Sequence, residues 1–461
     1  MAFILPFRGI SYNPQKIKDF GEVVAPPYDV ISPQEQEALY QRHPRNVVRL
    51  ILNKETPPDH PGDNRYTRAA AFYAAWQKEE ILIRAPQPRF YFLQEEFRSS
   101  ILPSAQSGSL PEKIRRQGFI GLIHLEEYGA GVVLPHEKTQ TKPRADRLSL
   151  MDACQANFSQ IYSLYTDEKG AMAPIYRQVF SSGQPAMDVT ASEGVRRKLW
   201  VVSDPGILKR VQEIMKPKQI FIADGHHRYE TALAYREGQR RKFPKSTGRE
   251  PYNFTMMYFA AMEDQGVFIL PTHRVVNKVA GFEPKSFLEA LRADFAVEAF
   301  GEPGSDEMNV RERLLHEIGS RGEKSRVLGM FLRGEKKYFL LTLKDEDAMD
   351  RVEPGIPPSL KALDVNLLHI LIFQKYLGIG ALDLAASQKV VYFKDPGEAA
   401  SAVQSGEGQA AFFLNPTRVY QVRDVSLAGE TMPSKSTFFY PKLLTGLVIN
   451  PLNPDEEISG G

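Results

Sequence analysis

The residues best suited to chemistry form a short cluster that directly follows the apolar run 219–223. The cluster consists of Asp224, Gly225, His226, His227 and Arg228. The apolar run predicts a strand, Asp-Gly predicts a turn, and Asp224 is the expected N-cap of a following helix. Both histidines and Arg228 would then occupy the first helical turn, where main-chain N–H groups lack partners and the helix dipole is positive. Because positive side chains are unfavourable there without an anion, the cluster predicts an anion site, in particular for a nucleotide phosphate.

Two other interpretations of this cluster stay open. In the first, the histidines cap a surface helix and Arg228 pairs with an acid such as Asp224 or Glu230. In the second, the histidines bind zinc. Neighbouring helical residues point about 100° apart, however, so His226 and His227 cannot bind one ion as an i, i+4 pair does.

A second group of charged residues lies in the segment 132–148, which contains two prolines and several turn-forming residues. Its members are His136, Glu137, Lys138, Lys142, Arg144, Asp146 and Arg147. The composition predicts a loop, either a solvated one or a phosphate clamp. In the functional interpretation Lys142 and Arg144 hold phosphate, and Glu137 is a general base or a metal ligand.

Weaker signals of the same kind lie elsewhere in the chain. The double proline in 23–32 predicts a stiff loop that presents Asp29, either as a simple turn or as a contact to Mg²⁺ or substrate. His273 and Arg274 follow an apolar run, and Lys435 and Lys442 lie near the C-terminus. These four residues add to the anion-binding pattern.

Composition limits the classes of function. The 461 residues include 58 basic and 56 acidic ones, so the net charge of +2 gives no sign of a nucleic-acid partner. A single cysteine, Cys154, excludes an internal disulfide and a multi-cysteine zinc site. No signal peptide and no apolar run of membrane-spanning length is evident, so we expect a cytoplasmic protein without a membrane partner. Common nucleotide and hydrolase motifs, such as the P-loop, are missing from the sequence.

Hydrophobic patterning predicts a mixed α+β chain. We expect a strand at 46–52, a helix at 64–82, paired strands at 89–97 and 115–128, and a helix after 144 that leads into a strand. A strand at 198–202 should precede a helix capped by Ser203 or Asp204, and 359–378 should form an amphipathic helix. The predicted organisation is a main α+β domain over 1–281, an appended or inserted α+β unit over 282–355, and a C-terminal α+β segment over 356–461.

Six motifs in order resemble the bacterial and archaeal domain-of-unknown-function family 1015. They are LPFRGISYNP, VVAPPYDVIS, NVVRLIL, LPHEKTQTKPRADRL, IADGHHRYETALAYR and LPTHRVV. The resemblance extends from about residue 3 to the segment 432–448. It implies family membership, and the family name itself carries no function.

A strand followed by DGHHR and a helix is also similar to the ParB-like and sulfiredoxin-like superfamily. That resemblance implies a superfamily core with large insertions, in which Gly225 and Arg228 match a Gly-x-x-Arg turn that binds nucleotide phosphates. His226 occupies the position of the reactive cysteine of sulfiredoxins, which argues against reductase chemistry. The DGHHR form looks most like the free serine kinases, which use a carboxylate to deprotonate the substrate hydroxyl.

The leading hypothesis is therefore a small-molecule kinase that transfers phosphate from ATP or ADP to a hydroxyl group, with free L-serine as the best single acceptor. The candidate catalytic residues are Glu137, Asp224 and His226. The candidate phosphate-binding residues are Gly225, His226, His227, Arg228, Lys142 and Arg144, and the candidate Mg²⁺ ligands are Asp224 and Asp29. A nucleotide-binding switch module of ParB-like type and a metal-dependent phosphatase or nuclease remain alternatives, and a homodimer is compatible with all three.

Overall fold

A computed structural model describes residues 1–56, 59–102, 110–139, 141–301, 306–380 and 389–458. The chain has the mixed α+β composition that the hydrophobic pattern predicts. Its α-helices are α1 Pro33–Arg42, α2 Val48–Ile51, α3 Arg65–Lys78, α4 Thr141–Cys154, α5 Ala173–Phe180, α6 Pro205–Met215, α7 His226–Lys242, α8 Pro284–Leu291, α9 Glu307–Arg321, α10 Ala348–Val352, α11 Pro358–Lys361, α12 Asp364–Leu367, α13 Pro396–Gln404 and α14 Val419–Leu427. A π-helix spans Leu368–Tyr376.

Within the described residues, the strands form two large sheets and three small two-stranded ones. They are β1 Ile4–Leu5, β2 Ile10–Tyr12, β3 Leu82–Arg84, β4 Phe90–Arg98, β5 Lys113–His124, β6 Val133–Leu134, β7 Ala156–Asn157, β8 Ile161–Tyr165, β9 Met187–Thr190, β10 Arg196–Val202, β11 Ile220–Asp224, β12 Phe254–Ala261, β13 Phe268–Leu270, β14 His273–Val276, β15 Phe295–Phe300, β16 Val327–Leu332, β17 Tyr338–Leu343, β18 Val390–Phe393, β19 Ala410–Phe413, β20 Phe438–Tyr440 and β21 Asn450–Pro451.

The first sheet has the order β6-β11-β8-β12-β5-β4-β10-β9, with β1 added beside β5. Strand β12 lies at its centre, antiparallel to β5 and parallel to β8. All but the last of its residues are buried, which explains why its sequence is a continuous apolar run rather than an alternating one. The predicted pairing of β4 with β5 is confirmed, with Tyr91 opposite Ile120.

The second sheet has the order β15-β17-β16-β19-β14-β18. It takes strands from all three predicted segments: β14 precedes residue 282, β15 to β17 lie in 282–355, and β18 and β19 follow residue 356. The division of the chain at 281 and 355 stays a prediction. None of the helices in the described part of the chain is both long and apolar enough to cross a lipid bilayer.

Local sequence signals explain several elements. Asp204 caps α6, where its carboxylate accepts from the Ile207 N–H at 2.8 Å and Pro205 opens the helix, as predicted. The predicted strand at 46–52 is wrong, because residues 48–51 form α2 and the Asn46 side chain accepts from the Val48 N–H at 2.9 Å. A short apolar run cannot distinguish a buried strand from a buried helical turn.

Two further predictions of local structure are wrong. The segment 132–148 is not a loop throughout, because α4 begins at Thr141, and Pro143 falls in its first turn, where proline is tolerated. The expected amphipathic helix at 359–378 is divided into α11, α12 and the π-helix. Residues 368–373 are all buried, so this part of the segment has no polar face.

A buried ion triad joins three strands of the first sheet. The Glu95 carboxylate on β4 accepts from Arg116 Nε on β5 at 2.6 Å and from Arg197 Nε on β10 at 3.0 Å. Glu95 and Arg116 are fully buried, and the Arg197 side chain is 1% exposed. Arg197 also pairs through Nη1 with the partly exposed Glu193 carboxylate at 2.7 Å, whereas the fully buried Arg116 pairs with Glu95. The triad is therefore sensitive to loss of the Glu95 charge, above all at Arg116.

We therefore expect Glu95→Gln to lower the free energy of unfolding by about 3–5 kcal/mol, because the buried Arg116 loses its carboxylate partner and Arg197 keeps only the one from Glu193. The matched control is Glu96→Gln on the same strand, whose carboxylate pairs with the 62% exposed Arg115 at 3.2 Å. The control should change the free energy of unfolding by less than about 1 kcal/mol. Urea denaturation followed by circular dichroism measures both, and equal losses would contradict the assignment.

Candidate functional site

The turn between β11 and α7 differs in detail from its prediction. Strand β11 ends at Asp224, Gly225 adopts φ of +100°, and α7 begins at His226. Gly225 therefore takes the N-cap position predicted for Asp224. A Cβ atom at Gly225 would lie 2.8 Å from Arg228 Nε, because the guanidinium group folds back over the turn. Both the left-handed backbone and this close approach require glycine.

The Asp224 carboxylate binds two cations. It accepts from Arg228 Nη2 at 2.7 Å through Oδ2 and from Lys442 Nζ at 2.7 Å through Oδ1. Burial favours a raised pKa for Asp224, but Lys442 and Arg228 outweigh it and hold the pKa well below its usual range. Arg228 also donates to the carbonyl of Gln160. Its guanidinium group is therefore engaged within the protein, as the ion-pair interpretation of the sequence predicts.

His226 is buried behind the turn rather than directed toward solvent. Its Nε2 accepts from the main-chain N–H of His136 at 3.2 Å, and the two rings meet edge to face with centroids 4.6 Å apart. His136 Nδ1 donates to the Ile222 carbonyl at 2.8 Å, and its Nε2 lies 2.9 Å from Thr437 Oγ1. Burial lowers the pKa of His136 to about 4 and that of His226 well below its usual range. Both rings are neutral at pH 7 and hold the turn in place.

The other predicted phosphate-binding residues, His227, Arg144 and Lys142, do not form one group. Desolvation lowers the pKa of His227, whereas the charges of Glu230 and Asp29 oppose that shift. Arg144 is exposed, and its guanidinium nitrogen lies 3.5 Å from the Glu230 carboxylate. The side chain of Lys142 lies outside the described residues. The structure thus brings His227 toward Asp29 and leaves Arg144 with Glu230.

Three lysines converge beside this turn. The ammonium groups of Lys394 and Lys442 lie 3.9 Å and 4.6 Å from the centroid of the Phe438 ring. Desolvation lowers the pKa of Lys394, and the charges of Lys442 and Lys435 lower it further. The Phe438 ring provides cation–π stabilisation to two like charges that otherwise repel each other.

The sequence indicated Lys435 and Lys442 but not Lys394, which follows β18 as an isolated lysine. Lys394 comes close to Phe438 through the fold of the chain, so no local pattern could indicate it. Lys394 directly follows β18, which pairs with β14, and Phe438 lies on β20, which pairs with β13. Both strand pairs are needed to bring Lys394 and Phe438 together.

The main chain of the lysine segment, residues 432–442, is held by buried arginines of both large sheets. Arg116 Nη2 donates to the Pro441 carbonyl at 2.7 Å, and Arg197 Nη2 donates to the Lys442 carbonyl at 2.8 Å. Arg274 Nη2 on β14 donates to the Lys435 carbonyl at 3.0 Å. Lys435 has φ of +61°, an uncommon conformation for a residue with a side chain. These contacts fix the positions from which Lys435 and Lys442 extend.

Two more carboxylates, those of Glu137 and Asp29, lie close enough to Asp224 and the lysines to interact with their charges. Glu137 pairs through its backbone with Met432, and burial raises the pKa of its carboxyl group. Lys435 opposes this shift, as Lys442 does, whereas Asp224 and Asp29 reinforce it. Asp29 lies on the turn Tyr28–Val30, directly after the double proline. The predicted candidates Glu137, Asp29 and Asp224 are thus close enough to influence one another.

The positions of Asp224, Asp29 and Glu137 also determine how a Mg²⁺ ion could be bound. No group of three or more His, Cys, Asp or Glu side chains that could hold a metal ion occurs in the described ranges. Both oxygens of Asp224 accept from cations, so a metal ion there would have to displace Lys442 or Arg228. Mg²⁺ commonly takes one or two carboxylates together with phosphate oxygens, and Asp29 and Glu137 are suited to that mode.

The family model described as "Protein of unknown function (DUF1015)" matches residues 4–366. The chain belongs to this family. No curated protein matches it in sequence at a significant level.

Several solved structures are similar to this DUF1015 chain. A conserved hypothetical protein from Pyrococcus furiosus has 12% identity and a TM-score of 0.30, with 69% of this chain and 89% of that chain covered. A free serine kinase in complex with AMP has 11% identity and a TM-score of 0.30, with 69% and 86% covered. SbnI with a C-terminal truncation, from Staphylococcus aureus, has 12% identity and a TM-score of 0.34, with 73% and 90% covered. At these TM-scores the similarity carries no argument about function.

We expect Asp224→Asn to lower the free energy of unfolding by about 2 kcal/mol at pH 7, because Arg228 and Lys442 lose their shared counter-charge. The folded pKa of Asp224 lies below the unfolded value of about 3.9. The stabilisation is therefore present above that value and is lost as the pH falls through the folded pKa. The difference between wild type and variant in urea unfolding should narrow between pH 7 and roughly pH 2–3.

Asp188→Asn is the control, because Asp188 pairs with Arg196 at 2.6 Å on the surface, with both side chains at least 36% exposed. It should cost less than about 1 kcal/mol at pH 7. If the difference in free energy of unfolding between Asp224→Asn and wild type stayed constant from pH 7 to roughly pH 2–3, the lost stability would have an origin other than the Asp224 charge.

Proposed function

We propose that this protein is a nucleotide-dependent phosphotransferase that acts on a small hydroxyl-containing metabolite. The proposed donor is ATP or ADP, and free L-serine is the best single acceptor. The observation that carries the proposal is the convergence of Lys394, Lys435 and Lys442 beside the N-terminus of α7. Phosphoryl transfer depends on positioning and neutralisation of phosphate charge more than on covalent chemistry, and this cluster is suited to both.

The lysine cluster favours a ligand with several negative charges. Lys442 is already paired with Asp224. Lys394 contacts an aromatic ring and is destabilised as a cation by desolvation and by two neighbouring lysines. A polyphosphate presents oxygens to several ammonium groups at once and would relieve that repulsion. The positive end of the α7 dipole would favour the same anion.

Each residue near the cluster then has a role. Glu137 is the proposed general base, because a carboxylate with a raised pKa accepts a proton more readily near neutral pH. The acceptor oxygen attacks the terminal phosphorus, the bond from that phosphorus to the bridging oxygen breaks, and the hydroxyl proton passes to Glu137. Asp224 positions Lys442 and Arg228, and His226 positions the turn. Asp29 would hold Mg²⁺ together with phosphate oxygens, where the ion would shield phosphate charge.

The choice of L-serine has a separate basis. It rests on the similarity of DGHHR at positions 224–228 to the free serine kinases. A cavity of about 50 Å³ lies beneath Arg228 and is lined by Tyr28, Arg147 and Thr231 among others. Apolar side chains such as Ile51 and Phe158 complete the lining, and the small volume fits a small acceptor better than a large one.

Incubation of the protein with Mg²⁺, L-serine and either ATP or ADP should therefore yield phosphoserine, measured by mass spectrometry. Glu137→Gln should lower kcat by about 100-fold or more, with little change in nucleotide affinity. Lys394→Met should weaken nucleotide binding by about tenfold. Lys209→Met, whose side chain is 78% exposed on α6, is the control and should change neither quantity.

The outcome separates the candidate functions. If the protein binds nucleotide tightly but phosphorylates no hydroxyl compound, the kinase hypothesis is wrong and the nucleotide-binding switch module is favoured. Hydrolysis of a phosphate ester in the absence of nucleotide, if a chelator abolishes it, would favour the metal-dependent phosphatase or nuclease.

A second prediction concerns the proton on Lys394. Its pKa is lowered in the free protein, and a bound anion would raise it again by stabilising the charged form. Binding of ADP, whose phosphates are already fully ionised at roughly pH 9, should therefore be accompanied by proton uptake at that pH. Calorimetry in buffers of different ionisation enthalpy measures that uptake, and Lys394→Met should abolish it. Proton release, or equal uptake in the variant, would contradict the assignment of Lys394.

A further inference from the structure

A cavity of about 510 Å³ lies between the π-helix and the start of the lysine segment. Its volume is within the range of roughly 300–1,000 Å³ that is typical of small-molecule sites. It is separate from the small cavity beneath Arg228, with which it shares no lining residue. None of the roles proposed above uses it.

The cavity adjoins the proposed phosphate site along three chain segments. Its lining includes Lys138, which follows Glu137, and Tyr392, which lies two residues before Lys394. It also includes Met432 and Ser434, of which Ser434 directly precedes Lys435. A molecule whose phosphates contact the lysines could therefore extend its remaining part into this cavity.

One lining residue has a buried polar atom for which the described residues provide no hydrogen-bond partner. His369 lies on the π-helix and is 9% exposed, and its Nε2 has no hydrogen-bond partner within the described part of the chain. Burial and the nearby charge of Arg274 lower its pKa to about 3, so the ring is neutral at pH 7. A buried polar group without a hydrogen bond is costly, and π-helical turns often occur at functional sites.

The rest of the lining indicates the kind of ligand. Ile356, Leu360, Ile370 and Ile379 give apolar walls, and the side-chain amides of Asn366 and Gln374 provide polar edges. Apolar walls suit the faces of a heterocyclic base, and side-chain amides are good partners for base edges. A small amino acid would occupy a minor part of this volume, which argues against the acceptor as the occupant.

We propose that this cavity binds the nucleoside part of the phosphate donor, with His369 Nε2 as a hydrogen-bond partner of the base. The inference rests on the proposed function, because it assumes that the lysine cluster binds the phosphates of the same molecule. It assigns base recognition to the part of the chain that contains the π-helix, and phosphate recognition to the turn at Gly225 and the lysine segment.

Two variants test the assignment with AMP and inorganic pyrophosphate as probes, measured by calorimetry. Ile356→Trp places a larger side chain in the cavity and should weaken AMP binding by about tenfold or more, while pyrophosphate affinity changes less than about twofold. His369→Phe removes both ring nitrogens, Nε2 included, but keeps the stacking on Phe373, whose centroid lies 5.3 Å away. It should weaken AMP binding by about five- to tenfold and leave pyrophosphate binding unchanged.

Ile83→Trp is the matched control, because Ile83 is a 38% exposed residue of β3 and does not line the cavity. It should leave the binding of both probes unchanged. His369→Phe should also leave the Tm of the free protein unchanged or raised, because it removes an unpaired buried atom. This variant decides the question if Ile356→Trp does not fold.

The results distinguish failure of this inference from failure of the proposed function. Unchanged AMP affinity in His369→Phe and in folded Ile356→Trp would overturn the cavity assignment, while the kinase proposal would stand if Lys394→Met still weakened binding. Equal loss of AMP and pyrophosphate binding in the cavity variants would also overturn it. A wild-type protein that binds neither probe would overturn both proposals.

Discussion

The charge of the Asp224 carboxylate is the constraint on which the arrangement of the candidate site depends. One oxygen binds Arg228, four residues later, and the other binds Lys442, which comes from the distant lysine segment. A single carboxylate therefore joins the turn before α7 to the C-terminal part of the chain. Because the group is largely withdrawn from water, its ionised form depends on both cations, and the positions of both cations depend on it.

Buried arginines extend this constraint to both large sheets. Arg116 and Arg197 belong to the first sheet and hold the carbonyls of Pro441 and Lys442, whereas Arg274 belongs to the second sheet and holds the carbonyl of Lys435. Arg116 and Arg197 both pair with Glu95, and Arg197 pairs with Glu193 as well. Guanidinium groups can donate in several directions at once, so each can bind a carbonyl and a second partner. The spacing between Lys435 and Lys442 thus depends on how the two sheets are placed.

Sequence patterns predicted what is determined locally. The strand, turn and helix around 220–242, the Asp204 cap and the β4–β5 pair all follow from short-range signals, and the family assignment is confirmed. The pairing of Arg228 with Asp224 was one of three open interpretations of the cluster, because both a bound anion and a carboxylate of the protein satisfy a guanidinium group. Lys394 was missed because its approach to Phe438 depends on strand pairing across separate parts of the chain.

The two carboxylates nearest the lysines have opposite environments, and that difference argues for different roles. Asp224 accepts from two cations, which keep its pKa well below the usual range, so it stays an anion across the physiological range. Burial raises the pKa of Glu137 despite the charges of Lys435 and Lys442. Paired titratable groups whose environments shift their pKa values apart commonly divide the roles of fixed charge and proton carrier. A ligand that neutralised the lysines would remove the cations that now lower the pKa of Glu137, and so would make this carboxylate a stronger base when the site is filled.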